Sequence, residues 1–537
     1  MSQIVPGQYA EQFEANFAKL EADPKNIKLF DICLLCIADT YGPFQDELVK
    51  RLAKLVGTSV TKVRPMVATM GRQLTYHKTG TAPLDESATH SEIAAHYYAT
   101  IPAPGLVACG GKFWKYQHGI GTWKATELDK LAAHIGGKYS IYQYCRKRGD
   151  YLGITKTLYD QVSDESFFDD GPSGVMTEAG FWRLENDKVV CEEPSPDHRA
   201  LFALTVEPDR TRKPDLFLQT LWQAFLPSNH HMQNEVRNKR FANLGMAQMH
   251  YMTEAAEQTI ALQKLFGATL FGLLPKHEKA VFLYGVGGSF KSKTLALLRK
   301  LLDPNAVCSI SPLELDSEYN VAALANKLVN MVPEIDGEKP VPSAAFKAVI
   351  SGDLMKGRVP FGVPFNFTPN AATWCNGNFY ITTRDTTAAF WRRWFIIRFW
   401  TGKGEGERDE SLMDRIAESE LSAIVGWAFE GVERLQTEGL TVTQTHNDCL
   451  AEWQDAFNSV RAWLHSDDSS VFLRTPEDAR PAAKSQEAFN RYKFWCSNVG
   501  RKPMGRNKFL ASMGEAGHPV VRNERGESTI PTLTTGY

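Results

Sequence analysis

The stretch from Ala280 to Leu302 constrains the fold of this chain more than any other. An apolar run (Ala280, Val281, Phe282, Leu283, Tyr284) enters a glycine-rich turn, Gly285-Val286-Gly287-Gly288-Ser289-Phe290-Lys291-Ser292, and leaves through Leu295, Leu297, Leu298, Leu301 and Leu302. The run reads as a buried strand and the exit as an amphipathic helix. A strand turning through glycines into a helix predicts an α/β core whose backbone N–H groups curl around phosphate oxygens. Gly285, Gly287, Gly288, Ser289, Lys291 and Ser292 are therefore the predicted nucleotide-binding positions, with Lys291 as counter-charge and the Ser292 hydroxyl on Mg2+. The usual pattern ends Gly-Lys-Ser/Thr, whereas Phe290 precedes the lysine here.

The rest of the composition sets limits. With 537 residues the chain is too long for one ordinary core. A net charge of −2 gives no global attraction to nucleic acid, so any such contact must come from local clusters of Lys and Arg. The 9 cysteines are scattered and odd in number, which points to a reducing compartment without a disulfide framework. Cys33 and Cys36 stand in the apolar run Leu29 to Ile37 and read as helix packing. Met1 to Gly7 lacks a basic-then-apolar leader, and no apolar run reaches bilayer length. A soluble, cytoplasmic protein with no membrane partner is expected.

Taken in order, residues 1–90 carry helical spacing, with Phe13, Phe17 and Leu20 followed by Leu48, Leu52 and Leu55. Residues 91–213 change to short aromatic segments. Phe113 to Tyr116 with Thr122-Trp123 predicts a hairpin, Leu128 to Ile135 a helix, and Gly180 to Leu184 with Lys188 to Cys191 two strands around Asn186-Asp187. The acids Asp164, Glu165, Asp169 and Asp170 read as a solvated loop. Residues 214–275 read as a helical oligomerisation or collar segment that leads into the opening strand; 276–445 form the predicted core, and 446–537 a separate C-terminal module.

Beyond the glycine turn, the apolar strand Leu328 to Val332 ends in Glu334 and Asp336. Carboxylates two apart on extended chain project to one side, where one holds magnesium and the other polarises water. Next come Lys356 and Arg358 on a Gly/Pro-rich hairpin, suited to a nucleic-acid backbone or simply to solvent. A third apolar segment, Ala371 to Cys375, ends in Asn376-Gly377-Asn378, and Asn376 is the predicted water-orienting amide. Finally Arg392 and Arg393 open the run Trp394 to Phe399. Paired guanidinium groups there need a partner, and a neighbouring subunit's γ-phosphate is one.

In this order the motifs resemble a superfamily 3 helicase, in particular the phage, plasmid and poxvirus primase-helicase group. Tyr284, Gly285, Gly287, Gly288, Lys291 and Ser292 match its phosphate loop, and Glu334 and Asp336 its acidic motif. Lys347, Gly352, Asp353 and Arg358 match the next stretch, followed by Phe367, Asn376 and the Trp391-Arg392-Arg393 triplet. Gly121 and Trp123 resemble the region before the helicase. Gln486 to Trp495, Gly500 to Pro503 and Lys508 to Leu510 resemble the group's C-terminal winged helix, where Arg501, Lys502 and Lys508 are candidate DNA contacts. The acidic-pair pattern of the primase half is missing from the first hundred residues.

The resemblance implies a multidomain α/β protein with a P-loop, AAA+-like core, a helical N-terminal region, a mixed α+β pre-helicase domain and a C-terminal winged helix. It implies ATP and Mg2+ as cofactors, single-stranded or forked DNA as partner, and a homo-oligomeric ring, a hexamer, serving a phage, plasmid or mobile element. A separate primase or replication protein is a further implied partner. Lys291, Glu334, Asp336, Asn376, Arg392 and Arg393 are the implied catalytic set, with Ser292, Glu334 and Asp336 around the metal and Lys356 and Arg358 on DNA. Two alternatives stay open: a nucleotide-gated initiator or loader that hydrolyses ATP poorly because of Phe290, and a metabolic P-loop kinase.

Overall fold

The computed structural model describes residues 8–40, 43–79, 84–169, 171–335, 339–360, 364–402, 404, 409–466, 473–474 and 480–534. It is a mixed α/β, multidomain chain that separates into two compact units, one of residues 1–171 with 195–199 and one of 172–194 with 200–537.

The first unit holds two cores. Helices Gln8–Ala22, Ile27–Ala38, Pro43–Leu55 and Val60–Thr79 close over Phe13, Leu20, Leu52 and Val63. Cys33 and Cys36 are buried in that core, and desolvation pushes the Cys33 thiol up to about 11. The second core collects Ile93, Phe113, Ile135, Ile154 and Leu158. Its antiparallel sheet runs Leu106–Cys109, Lys112–Gln117, Thr122–Thr126, with Tyr116 opposite Trp123 as the hairpin reading requires. Helix Leu128–Tyr139 follows directly. Glu165 is exposed, as the solvated-loop reading has it, and also accepts from the Gly110 N–H at 2.8 Å and the Tyr159 hydroxyl at 2.7 Å; Asp170 lies outside the described residues.

The second unit is built on a five-stranded parallel sheet: β1 (Ala280–Gly285), β2 (Val307–Cys308), β3 (Val329–Val332), β4 (Ala372–Gly377) and β5 (Trp394–Phe399), in the order β5-β1-β4-β3-β2. Period-two alternation sends Val281, Leu283, Phe395 and Ile397 to one face and Ala280, Phe282, Trp394 and Ile396 to the other. Both faces are covered, as a parallel sheet demands. On the first lie α1 (Leu244–Leu270), α2 (Lys291–Lys300) and α4 (Leu421–Glu438); on the second, α3 (Ser343–Ser351) and α5 (Gln444–Phe457).

Glycine makes the α1–α4 crossing tight. A Cβ on Gly431 would sit 2.1 Å from the Gln263 carbonyl oxygen, and one on Gly267 2.3 Å from that of Ala428. Fully buried Lys264 is tolerated because its Nζ caps the end of α4, donating to the Gly439 carbonyl at 2.9 Å beside Glu438 at 2.8 Å. The second half of α1 is thus core. A three-stranded antiparallel sheet (Gly174–Met176, Phe181–Glu185, Lys188–Glu192) packs Trp182 on Phe429, its hairpin turning at Asn186 (φ 49°) and Asp187 (φ 63°). At the C-terminus, helices Ser485–Asn498 and Arg506–Glu515 pack with strands Ala482–Lys484, Val521–Arg522 and Ser528–Thr534 around Tyr492, Phe509 and Ile530. Among the described residues no helix is long and apolar enough to cross a membrane.

Candidate nucleotide site

Because all five strands run the same way, the residues after β1, β4 and β3 meet at one edge of the sheet. Gly377 on β4 pairs with Tyr284 on β1, and Cys375 pairs with Val332 on β3. The glycine turn, the Asn-Gly-Asn tip and Glu334 therefore share the carboxyl edge, where open α/β sheets hold ligands.

The turn is shaped by its backbone. Gly285 (φ 151°) could carry no side chain, since a Cβ would lie 1.9 Å from the Phe399 carbonyl oxygen. Phe290 takes φ 75°, the left-handed conformation that glycine favours, and caps the N-terminus of α2. Its ring packs on the core beside Phe217, centroids 6.4 Å apart. The missing glycine has thus left the turn its left-handed residue, and the ring is anchored.

Lys291 is buried, and its Nζ donates to the carbonyls of Gly285 (2.8 Å) and Val286 (2.6 Å), to Ser289 Oγ (3.1 Å) and to Asn378 Oδ1 (3.0 Å). Desolvation lowers its pKa to about 8, and the nearby Glu334 carboxylate pulls it partly back up. Ser289 Oγ–H in turn bonds the Val286 carbonyl at 2.7 Å. An ammonium whose acceptors are all neutral and whose solvation is stripped favours an anion.

Asn376 is buried at the end of β4 and its Nδ2 donates to Ser292 Oγ at 3.1 Å. The candidate amide therefore stands on the candidate metal ligand, whereas Asn378, two residues on, meets the lysine. Sequence reasoning passed over Asn378, although the Asn-Gly-Asn triplet offered both. Glu334 is exposed; Asp336 lies outside the described residues. Ser292 and Glu334, both exposed at this edge, are the groups that could hold a magnesium ion, and the turn ahead of α2 is the part that could hold a polyphosphate.

The two arginines are at the other edge. The Ala280 N–H donates to the Arg393 carbonyl at 2.7 Å, so the pair sits beside the first residue of β1, while the glycine turn follows the last. Six residues of strand separate the two by roughly 17 Å, beyond the reach of a side chain. Arg393 is buried and spent internally: its Nε and Nη2 donate to Ser351 Oγ at 3.2 and 2.6 Å, and its Nη1 to the Ala389 carbonyl. Arg392 is 61% exposed and pairs with Glu278 at 3.1 Å.

Lys356 lies exposed on the hairpin Met355–Gly357 with Phe365–Phe367, and has no ion pair among the described residues; Arg358 shares Glu318 at 3.9 Å. In the C-terminal module Lys502 and Lys508 are exposed. Arg501 is occupied, its Nη1 donating to the Asp455 carbonyl at 2.7 Å with the guanidinium over Trp495.

Residues 283–393 match the model of a family of unknown function, DUF5906. No curated protein matches the chain. Among solved structures it is similar to the A form apo structure of the C-terminal region of NrS-1, with 11% identity over 80% of this chain and 96% of that chain and a TM-score of 0.42. Another apo structure of that region, residues 305–718, gives 11% identity, 80% and 95% coverage and a TM-score of 0.39. A ligand-bound JCV helicase gives 10% identity, 48% and 98% coverage and a TM-score of 0.21.

Proposed function

We propose that the chain is an ATP-dependent DNA helicase that works as a ring, with ATP and Mg2+ held between subunits. The observation that carries this reading is the division of the sheet: a buried ammonium, two amides and a carboxylate at its carboxyl edge, and an exposed arginine at the opposite edge. Arg392 is too far from its own glycine turn to serve it, so a phosphate it contacts belongs to another copy.

In this reading Lys291 and the turn's N–H groups bind the β- and γ-phosphates, and Ser292, oriented by Asn376, holds the metal with Glu334 or Asp336. The metal supplies charge neutralisation on the phosphates. The other carboxylate takes the proton of the attacking water, and Asn378, already at the lysine, orients that water. Arg392 stabilises charge from across the interface, while Arg393 holds the segment in place. Lys356 and Arg358 follow a DNA strand, and Lys502 and Lys508 present a basic face on the C-terminal module, consistent with a winged helix.

The test is ATPase activity with and without single-stranded DNA for wild type and Lys291→Ala. DNA-stimulated turnover that vanishes in the variant supports the proposal. ATP binding without turnover moves the chain to the initiator or loader class, and DNA-independent phosphate transfer to a small molecule sinks both.

A further inference from the structure

Glu278 stands two residues before β1, at the end of the short turn Leu274–His277, in the left-handed region at φ 51° and ψ 44°. A non-glycine residue held there is uncommon. Its Oε2 accepts from Arg392 Nη2 at 3.1 Å and lies 3.8 Å from Arg393 Nη2. Arg393 has Ser351 and Ala389 as its main partners, so the carboxylate belongs chiefly to Arg392. Lys279 donates from its Nζ to the Arg392 carbonyl, a second tie between this turn and the arginine, made to its backbone.

Both members of the Arg392–Glu278 pair are substantially exposed, 61% and 42%, so water weakens their attraction. A terminal phosphate carries more charge than a carboxylate and offers bidentate geometry to a guanidinium. We propose that Glu278 is a stand-in anion: it holds Arg392 ready in the separate subunit and competes with the neighbouring subunit's nucleotide phosphate for the same guanidinium. Glu278 then sets the nucleotide concentration at which subunits associate. This rests on the reading that Arg392 acts in trans, and it concerns a residue outside the motifs that led to that reading.

The two roles open to Glu278 have opposite signs. A competitor weakens nucleotide-dependent association, and its removal strengthens it. A carboxylate that only orients Arg392 does the reverse. The experiment titrates the full chain with Mg2+ and a non-hydrolysable ATP analogue and follows mass by sedimentation, for wild type, Glu278→Gln, Arg392→Ala and the double variant. Glu278→Gln is expected to lower the analogue concentration for half-assembly by about fivefold. Arg392→Ala is expected to raise it, and Glu278→Gln on the Arg392→Ala background to change nothing. An unchanged or raised midpoint for Glu278→Gln overturns the stand-in role while leaving trans action intact. An unchanged midpoint for Arg392→Ala overturns trans action itself.

Discussion

Lys291 Nζ donates to Asn378 Oδ1 across 3.0 Å, while the neighbouring amide, Asn376, donates to Ser292 Oγ at 3.1 Å. Two asparagines separated by one glycine thus serve different groups, Lys291 and the Ser292 hydroxyl. Their loss should be separable. Asn376→Ala is expected to raise the Mg2+ concentration for half-maximal ATPase activity several-fold with a modest drop in kcat. Asn378→Ala is expected to leave the Mg2+ requirement unchanged, preserve nucleotide affinity and lower kcat by about tenfold or more, the scale of one positioned catalytic group. A Mg2+ titration of steady-state hydrolysis distinguishes them, and identical profiles would refute the division of roles.

Desolvation lowers the Lys291 pKa to about 8 with Glu334 opposing, so the proposed nucleotide binding should depend on pH. A bound polyphosphate favours the charged lysine and raises its pKa, so binding above pH 8 takes up a proton. Affinity for ATP should be flat below about pH 7.5 and fall towards tenfold per pH unit above 8. Isothermal calorimetry at pH 8.5 in two buffers of different ionisation enthalpy reads the proton uptake directly. Lys291→Ala should bind weakly and show no uptake assignable to this group.

Phe290 allows a sharper test of the turn. Its φ of 75° costs a non-glycine residue about 1–2 kcal/mol, and its ring packs on the core beside Phe217. In Phe290→Gly the relief of strain and the loss of ring contacts offset each other, so thermal stability should move little and ATP affinity should stay within about twofold. Phe290→Val keeps the strain, adds β-branching that opposes positive φ and loses the ring, and should lower both markedly. Differential scanning fluorimetry with and without ATP compares the three; tight binding by the valine variant would show that the turn does not need the left-handed residue.

What could be read in the sequence was local. The strand-turn-helix at Ala280 to Leu302 declares itself because apolar residues, glycines and lysine follow each other without interruption, and the hairpin at Asn186-Asp187 because both residues tolerate positive φ. Pairings across long separations were not legible. Arg392 and Arg393 are adjacent in sequence, and only Ser351, 42 residues away, makes Arg393 internal. Glu278 is 114 residues from Arg392, and a lone acid before a strand has no signature. Arg501 reads as one more basic residue until the Asp455 carbonyl claims it. The sequence singled out Asn376 and not Asn378, because only the strand end gives each amide its own direction.

Asp385 joins stability to the arginine edge. It accepts from Lys347 Nζ at 3.0 Å, the Thr387 N–H at 2.9 Å, the Thr387 hydroxyl at 2.7 Å and the Ser343 hydroxyl. Burial alone would raise its pKa, yet these donors outweigh it and hold the carboxyl at about 2. Ser343 and Lys347 lie on α3, whose last residue, Ser351, holds Arg393, so Asp385 fastens that helix to the loop leading to Arg392. A carboxyl depressed in the folded state contributes stability that is full above its unfolded pKa, near 3.9, and is lost as pH falls towards 2. Asp385→Asn should therefore lower the thermal midpoint by several degrees at pH 7, with the gap to wild type closing below about pH 4. If the helix also presents Arg392, the variant should retain nucleotide affinity per subunit yet assemble at a higher concentration of nucleotide. A stability gap that stays constant from pH 7 to pH 3 would contradict the assignment of this network to the ionised carboxyl.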